Sequence, residues 1–66
     1  MAPKYPEIIV ALTGQEGNAF AILGRCREAA RDAGLSDDEV AAFMDEATTG
    51  DYVHLLQTAM RWFEIR

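Results

Sequence analysis

The sequence predicts a mainly helical α+β domain with the element order β-α-α-α, closed by a short C-terminal strand that pairs with the N-terminal one. Residues 8–12 form the strong β-forming run, and three later stretches carry apolar residues at helical spacing between capping residues. A chain of 66 residues supports one core. We therefore expect a single domain over residues 1–66, with residues 1–6 held extended by Pro3 and Pro6.

The first predicted element is a strand at residues 8–12, with the sequence Ile-Ile-Val-Ala-Leu. Side chains alternate along a strand, so one face carries residues 8, 10 and 12 and the other carries residues 9 and 11. Apolar side chains on both faces predict that both faces are covered and that the strand is not an exposed edge. Its backbone also needs a partner, which is either residues 61–66 of the same chain or the same strand of a second chain.

The second element is a helix from residue 19 to about residue 33. Asn18 is a suitable N-cap, and Gly34 supplies the left-handed residue that commonly ends a helix. The predicted buried stripe contains Phe20, Leu23, Cys26, Ala30 and Ala33, widened by Ile22 and Ala29.

Two further helices follow. Ser36 and Glu39 form a capping box that begins the second helix, whose apolar face is predicted at Val40, Phe43, Met44 and Ala47. Asp51 is the N-cap of the third helix, whose predicted apolar stripe is Tyr52, Leu55, Leu56, Ala59, Met60 and Phe63.

The end of the third helix has two interpretations. The helix either runs through Phe63, or it ends near Arg61 and leaves residues 62–65 as a strand. We favour the strand, because it gives residues 8–12 a partner within the same chain.

Composition limits the function classes. A net charge of −5 argues against nucleic-acid and anionic-membrane binding, since phosphate neutralisation requires a surplus of Lys and Arg. No stretch reaches the roughly 18 apolar residues of a membrane helix, and we expect a cytoplasmic protein. One cysteine and one histidine give no disulfide and no metal site, so a core this small favours a homodimer.

One candidate ligand site is the loop before the first helix, where backbone amides and the helix dipole can hold an anion. Its residues would be Gly14, Gln15, Gly17 and Asn18, with Arg25 and Arg61 supplying charge to a nucleotide-like anion. The spacing lacks the glycine pattern of nucleotide-binding loops, and Glu16 would repel an anion. We therefore favour a structural turn and keep small-ligand binding as the alternative function.

Catalytic candidates are few. Cys26 falls in an apolar stripe, which predicts a buried and inert thiol. His54 shares a helix face with Asp51, Thr58 and Arg61, which is typical of a solvated surface. We assign no catalytic residue, no cofactor and no metal, and predict a non-enzymatic protein.

Apolar and aromatic residues suggest an interaction surface instead, because so small a domain cannot bury all of its aromatic side chains. The candidate interface residues are Tyr5, Ile9, Tyr52, Trp62 and Phe63. The predicted function is that of a small acidic interaction protein that binds itself and another protein.

Two motifs carry a resemblance. Residues 18–24 read Asn-Ala-Phe-x-Ile-Leu-Gly, and residues 50–58 read Gly-Asp-Tyr-x-x-Leu-Leu-x-Thr, followed by Trp62. In these motifs the chain resembles a group of short, uncharacterised bacterial and phage proteins. The resemblance implies a free-standing protein rather than a fragment, and it carries no activity and no catalytic residues to transfer. A separate hypothesis is that the chain is a small acidic phage or bacterial factor that occupies a host or cellular protein.

Overall fold

The chain folds as the predicted β-α-α-α-β arrangement. The computed structural model describes residues 2–15 and 17–66. Its elements are β1 (Tyr5–Val10), α1 (Ala19–Asp32), α2 (Asp37–Ala47), α3 (Tyr52–Trp62) and β2 (Phe63–Ile65). The two strands pair in parallel, so the N-terminal strand finds its partner at the C-terminal end of the same chain.

The strand β1 begins and ends earlier than the predicted residues 8–12. Tyr5 pairs with Phe63, but the next pair along the sheet joins Ile9 to Glu64, so three residues of β1 bulge out of the ladder. Pro6 lies in this bulge, where its missing N–H costs no ladder hydrogen bond. Backbone pairing continues past β1, because the Leu12 amide donates to the Arg66 carbonyl at 2.6 Å.

The caps of α1 are confirmed, and so is most of its predicted buried stripe, but Phe20 and Ala33 are exposed. The Asn18 side chain accepts from the Ala21 amide at 3.0 Å, and Gly34 follows the helix with φ +94°. The buried residues are Ile22, Cys26 and Ala30. Phe20 precedes Ile22 by two residues, about 200° around the helix, and is therefore exposed rather than buried.

The caps of α2 and α3 also follow the prediction. Ser36 and Glu39 form the reciprocal capping box, and the Asp51 carboxylate accepts from the His54 amide at 2.9 Å. The α3 stripe, however, differs at two positions. Thr58 is fully buried and Met60 is exposed, because the helix turns its Leu55–Ala59–Trp62 side to the core.

An aromatic cluster holds the junction of α3 and β2 in the core. The ring centroids of Phe43 and Phe63 are 5.0 Å apart, and those of Phe43 and Trp62 are 5.5 Å apart. Trp62 and Phe63 are 6% and 1% exposed. The structure thus corrects their assignment to an interface. Both are core side chains, because the end of α3 and the start of β2 pack against Phe43 of α2 through these two rings.

Candidate functional site

One edge of β1 carries no strand partner in the part of the chain that the structure describes, since the sheet has two strands. The Arg66 amide donates to the Val10 carbonyl, and the Leu12 amide donates to the Arg66 carbonyl. Val10 and Leu12 therefore direct their backbone groups towards β2. Because neighbouring residues of a strand point to opposite edges, Ile9 and Ala11 direct theirs to the open edge.

Helix α1 runs beside this open edge. The two elements enclose a shallow groove of about 270 Å³, lined by Ile9, Val10, Ala11, Arg25, Glu28, Ala29 and Asp32. Arg25 Nη1 donates to the Ala11 carbonyl oxygen at 3.4 Å. The groove thus joins open backbone groups of a strand to a charged helix flank, which is the arrangement that receives an added strand.

The outer face of β1 is exposed, which differs from the prediction that both faces are covered. Ile8 and Val10 are buried, but Ile9 is 51% exposed. The helices cover only the side of the sheet that carries the even-numbered residues. Of the predicted interface residues, Ile9 is therefore the one whose side chain lies open at the surface.

Three other large apolar side chains are exposed. Phe20 on the first turn of α1 is 90% exposed, and Val53 and Met60 lie on the outer side of α3. Seven residues, or two helical turns, separate Val53 from Met60, so these two share one strip of the helix surface. These side chains are available for contact with another molecule.

In the predicted anion loop, the backbone amides of Gln15, Gly17 and Asn18 donate hydrogen bonds to other groups of the same chain. The Gly17 amide donates to the Tyr52 hydroxyl at 2.6 Å, the Gln15 amide to the Leu12 carbonyl at 2.9 Å, and the Asn18 amide to the Gln15 carbonyl at 3.1 Å. Gly14 and Gly17 have φ values of +88° and +82°, as a tight turn requires. Glu16, expected to repel an anion, lies outside the described residues.

The two arginines proposed for an anion lie on other elements. Arg25 contacts the β1 edge, and Arg61 Nη2 contacts Glu46 Oε2 at 3.2 Å. Tyr52 is the loop's anchor, so this predicted interface residue is half-buried against Gly17. The geometry favours a structural role for the loop.

Glu46 joins α2 to the end of α3. Its Oε2 accepts from Trp62 Nε1 and from Arg61 Nη2, both at 3.2 Å. The Trp62 hydrogen bond, followed by that of Arg61, lowers the pKa of the Glu46 carboxyl. The sequence analysis did not predict this role of Glu46, because its two partners are 15 and 16 positions away along the chain.

His54 serves the same junction. Its Nε2 lies 2.8 Å from the Glu46 carbonyl oxygen, which can only accept, so Nε2 carries the proton. The Thr58 hydroxyl donates to the His54 carbonyl at 2.8 Å and lies 3.4 Å from Nε2. The His54 side chain on α3 thus donates a hydrogen bond to α2, whereas its sequence position predicted a solvated side chain.

The remaining titratable candidates are also structural. Burial raises the pKa of the Cys26 thiol to about 12, so it is protonated and a poor nucleophile at neutral pH. The Tyr5 hydroxyl donates to Glu39 Oε2 at 2.7 Å, which raises the pKa of Tyr5 and lowers that of Glu39. Tyr5 is accordingly half-buried, with its polar end fixed on α2.

Residues 2–15 and 17–66 contain no group of three or more His, Cys, Asp or Glu side chains placed to hold a metal ion. Within the same residues, every helix is too short or too polar to cross a membrane.

Comparisons with protein-family models, with curated proteins and with solved structures find no match to this chain. The surface geometry of the chain itself is therefore what supports a functional inference.

Proposed function

We propose that this chain is a non-enzymatic interaction protein that assembles with itself and binds a second protein through exposed apolar side chains. The observation that supports the proposal is the exposure of Ile9, Phe20, Val53 and Met60 on a 66-residue acidic domain. A monomer this small gains stability by covering such side chains, and aromatic side chains on a surface are typical of binding sites.

Internal pairing of the polar side chains supports the same conclusion. His54, Glu46, Arg61 and Thr58 contact one another or the backbone, and Cys26 is a buried thiol. These contacts stabilise the α2–α3 junction and leave its polar groups engaged. An interaction surface therefore fits the chain better than the alternative of anion capture.

Self-association is tested by measuring mass in solution. Light scattering over a range of protein concentrations is expected to give a mass above the 7.3 kDa of one chain. A mass that stays at 7.3 kDa up to millimolar concentration would refute this part of the proposal.

Partner binding is tested with Phe20→Ser beside the unchanged chain. Both are immobilised, a cell lysate is passed over each, and the proteins that each retains are identified by mass spectrometry. Phe20 is 90% exposed, so its replacement leaves the fold intact, which circular dichroism checks. We expect a defined protein that the unchanged chain retains and the variant loses; equal capture by both would exclude Phe20 from partner binding.

A further inference from the structure

We infer that the open edge of β1 pairs with the β1 edge of a second copy, antiparallel about a two-fold axis at Ile9. The two sheets then form one four-stranded sheet, and Arg25 of each copy meets Asp32 of the other. This inference rests on the proposed self-association and names its surface.

One contact shows how β1 and α1 lie relative to each other. Arg25 Nη1 donates to the Ala11 carbonyl oxygen, and both residues line the groove, so Ala11 lies beside the Arg25 end of the helix. Ile9 lies two residues earlier, a distance of about 6.6 Å along a strand. Four residues of helix cover about 6 Å, and the groove extends from Arg25 to Asp32, so Ile9 is level with the middle of the groove, near the step between Glu28 and Ala29.

A two-fold axis at Ile9 places β1 beside β1 of the second copy and, at the same time, α1 beside α1 of the second copy. The Ile9 residues of the two copies then face each other and exchange two backbone hydrogen bonds, because their amide and carbonyl groups point to the open edge. The two α1 helices run antiparallel across the same axis, which is level with the step between Glu28 and Ala29. Position 25 therefore faces position 32 of the other copy, and position 28 faces position 29.

Charges on this flank of α1 match that symmetry. Arg25 stands at one end and Asp32 at the other, so antiparallel apposition places opposite charges together twice. Within the part of the chain that the structure describes, the ion pairs are Arg61–Glu46 and Arg66–Glu64, which leave Arg25 and Asp32 without an ionic partner. A second copy supplies that partner to both residues, whereas an arbitrary extended peptide would not.

Cross-linking tests the axis. Antiparallel hydrogen-bonded residues have Cα atoms about 5.5 Å apart, within the range of about 4.4–6.8 Å that a disulfide spans. Ile9→Cys should form a covalent dimer under mild oxidation, and Val53→Cys, slightly more exposed but on α3, should not. The native Cys26 is buried and does not compete. Equal cross-linking of both variants, or none by Ile9→Cys, would overturn the inference.

Charge exchange tests the ion pairs. Arg25→Asp and Asp32→Arg should each weaken dimerisation about tenfold or more, since each places like charges together twice. The double variant Arg25→Asp/Asp32→Arg should return to within about threefold of the original dissociation constant. Arg27→Asp, exposed on α1 but about 200° around the helix from Arg25 and outside the groove lining, is the matched control and should change it little. A double variant that is weaker than either single variant would contradict the pairing.

Self-association and the β1 interface can be distinguished by these measurements. A chain that is monomeric at all concentrations would refute self-association and this interface together. A chain that dimerises, but neither cross-links through position 9 nor responds to the charge exchange, would refute this interface and leave the proposed function intact.

Discussion

The Trp62 indole donates from Nε1 to Glu46 Oε2 at 3.2 Å and ties the last residue of α3 to the last turn of α2. Phe63 follows directly and begins β2, so this bond also fixes where the second strand starts. The position of β2 sets that of β1, and hence which edge of β1 stays open.

Stability at acidic pH should depend on Glu46. Its pKa is lower in the folded chain than the ordinary value of 4.5, so the stabilisation is present above that value and is lost as pH falls through the folded pKa. Glu46→Gln should therefore lower the free energy of unfolding at pH 7 and flatten its decline in acid. Urea unfolding at pH 7 and below pH 4.5 measures both effects.

Asp45→Asn is the control for that experiment, because Asp45 is the exposed neighbour of Glu46 and its substitution removes one negative charge, as Glu46→Gln does. It should keep the acid dependence of the unchanged chain. Identical pH profiles for Glu46→Gln and the unchanged chain would show that the Trp62 and Arg61 contacts contribute nothing.

Two glycines should respond to alanine in opposite directions. A Cβ at Gly50 would lie 2.8 Å from His54 Cβ, so Gly50→Ala should displace the ring and cost about 1–3 kcal/mol. A Cβ at Gly24, within α1, meets open space, so Gly24→Ala should add about 0.5–1 kcal/mol. Thermal or urea unfolding measures both; a Gly50→Ala variant as stable as Gly24→Ala would contradict the His54 packing.

The Cys26 thiol should report on opening of the core. It is fully buried, with a pKa raised to about 12, so a thiol reagent at pH 8 should label the native chain only as fast as the core opens. Labelling should become rapid in urea. Labelling of the native chain at the rate of a free cysteine would place Cys26 at the surface instead.

The loop between β1 and α1 should depend on Tyr52. Tyr52→Phe removes the acceptor of the Gly17 amide and should cost about 0.5–1.5 kcal/mol. The same variant should speed hydrogen exchange of that amide. Unchanged stability together with unchanged exchange would show that the loop holds its shape without this contact.

Local signals explain what the sequence could predict. The N-caps Asn18, Ser36 and Asp51 and the left-handed Gly34 act within one helical turn, so their structures follow from residues three or four positions away. A strand at residues 62–65 was predicted because residues 8–12 needed a partner; β2 confirms it at residues 63–65, whereas Trp62 is the last residue of α3.

Long-range packing explains what the sequence could not predict. Thr58 and Met60 exchange their expected positions because Trp62, at the end of α3, draws its own side of the helix into the core. Phe20 was expected inside because it is aromatic, yet the small residues Cys26 and Ala30 set the buried face of α1. The Glu46 contacts and the open β1 edge depend on how the elements assemble, which no local pattern encodes.

Hydrogen exchange of the Ile9 amide over a series of protein concentrations tests the central claim, that β1 needs a partner at both edges, most directly. The Ile9 amide should be protected in concentrated solution and lose protection on dilution, while the Val10 amide, which faces β2, stays protected throughout. An Ile9 amide that exchanges freely even at the highest concentration would contradict pairing at the open edge.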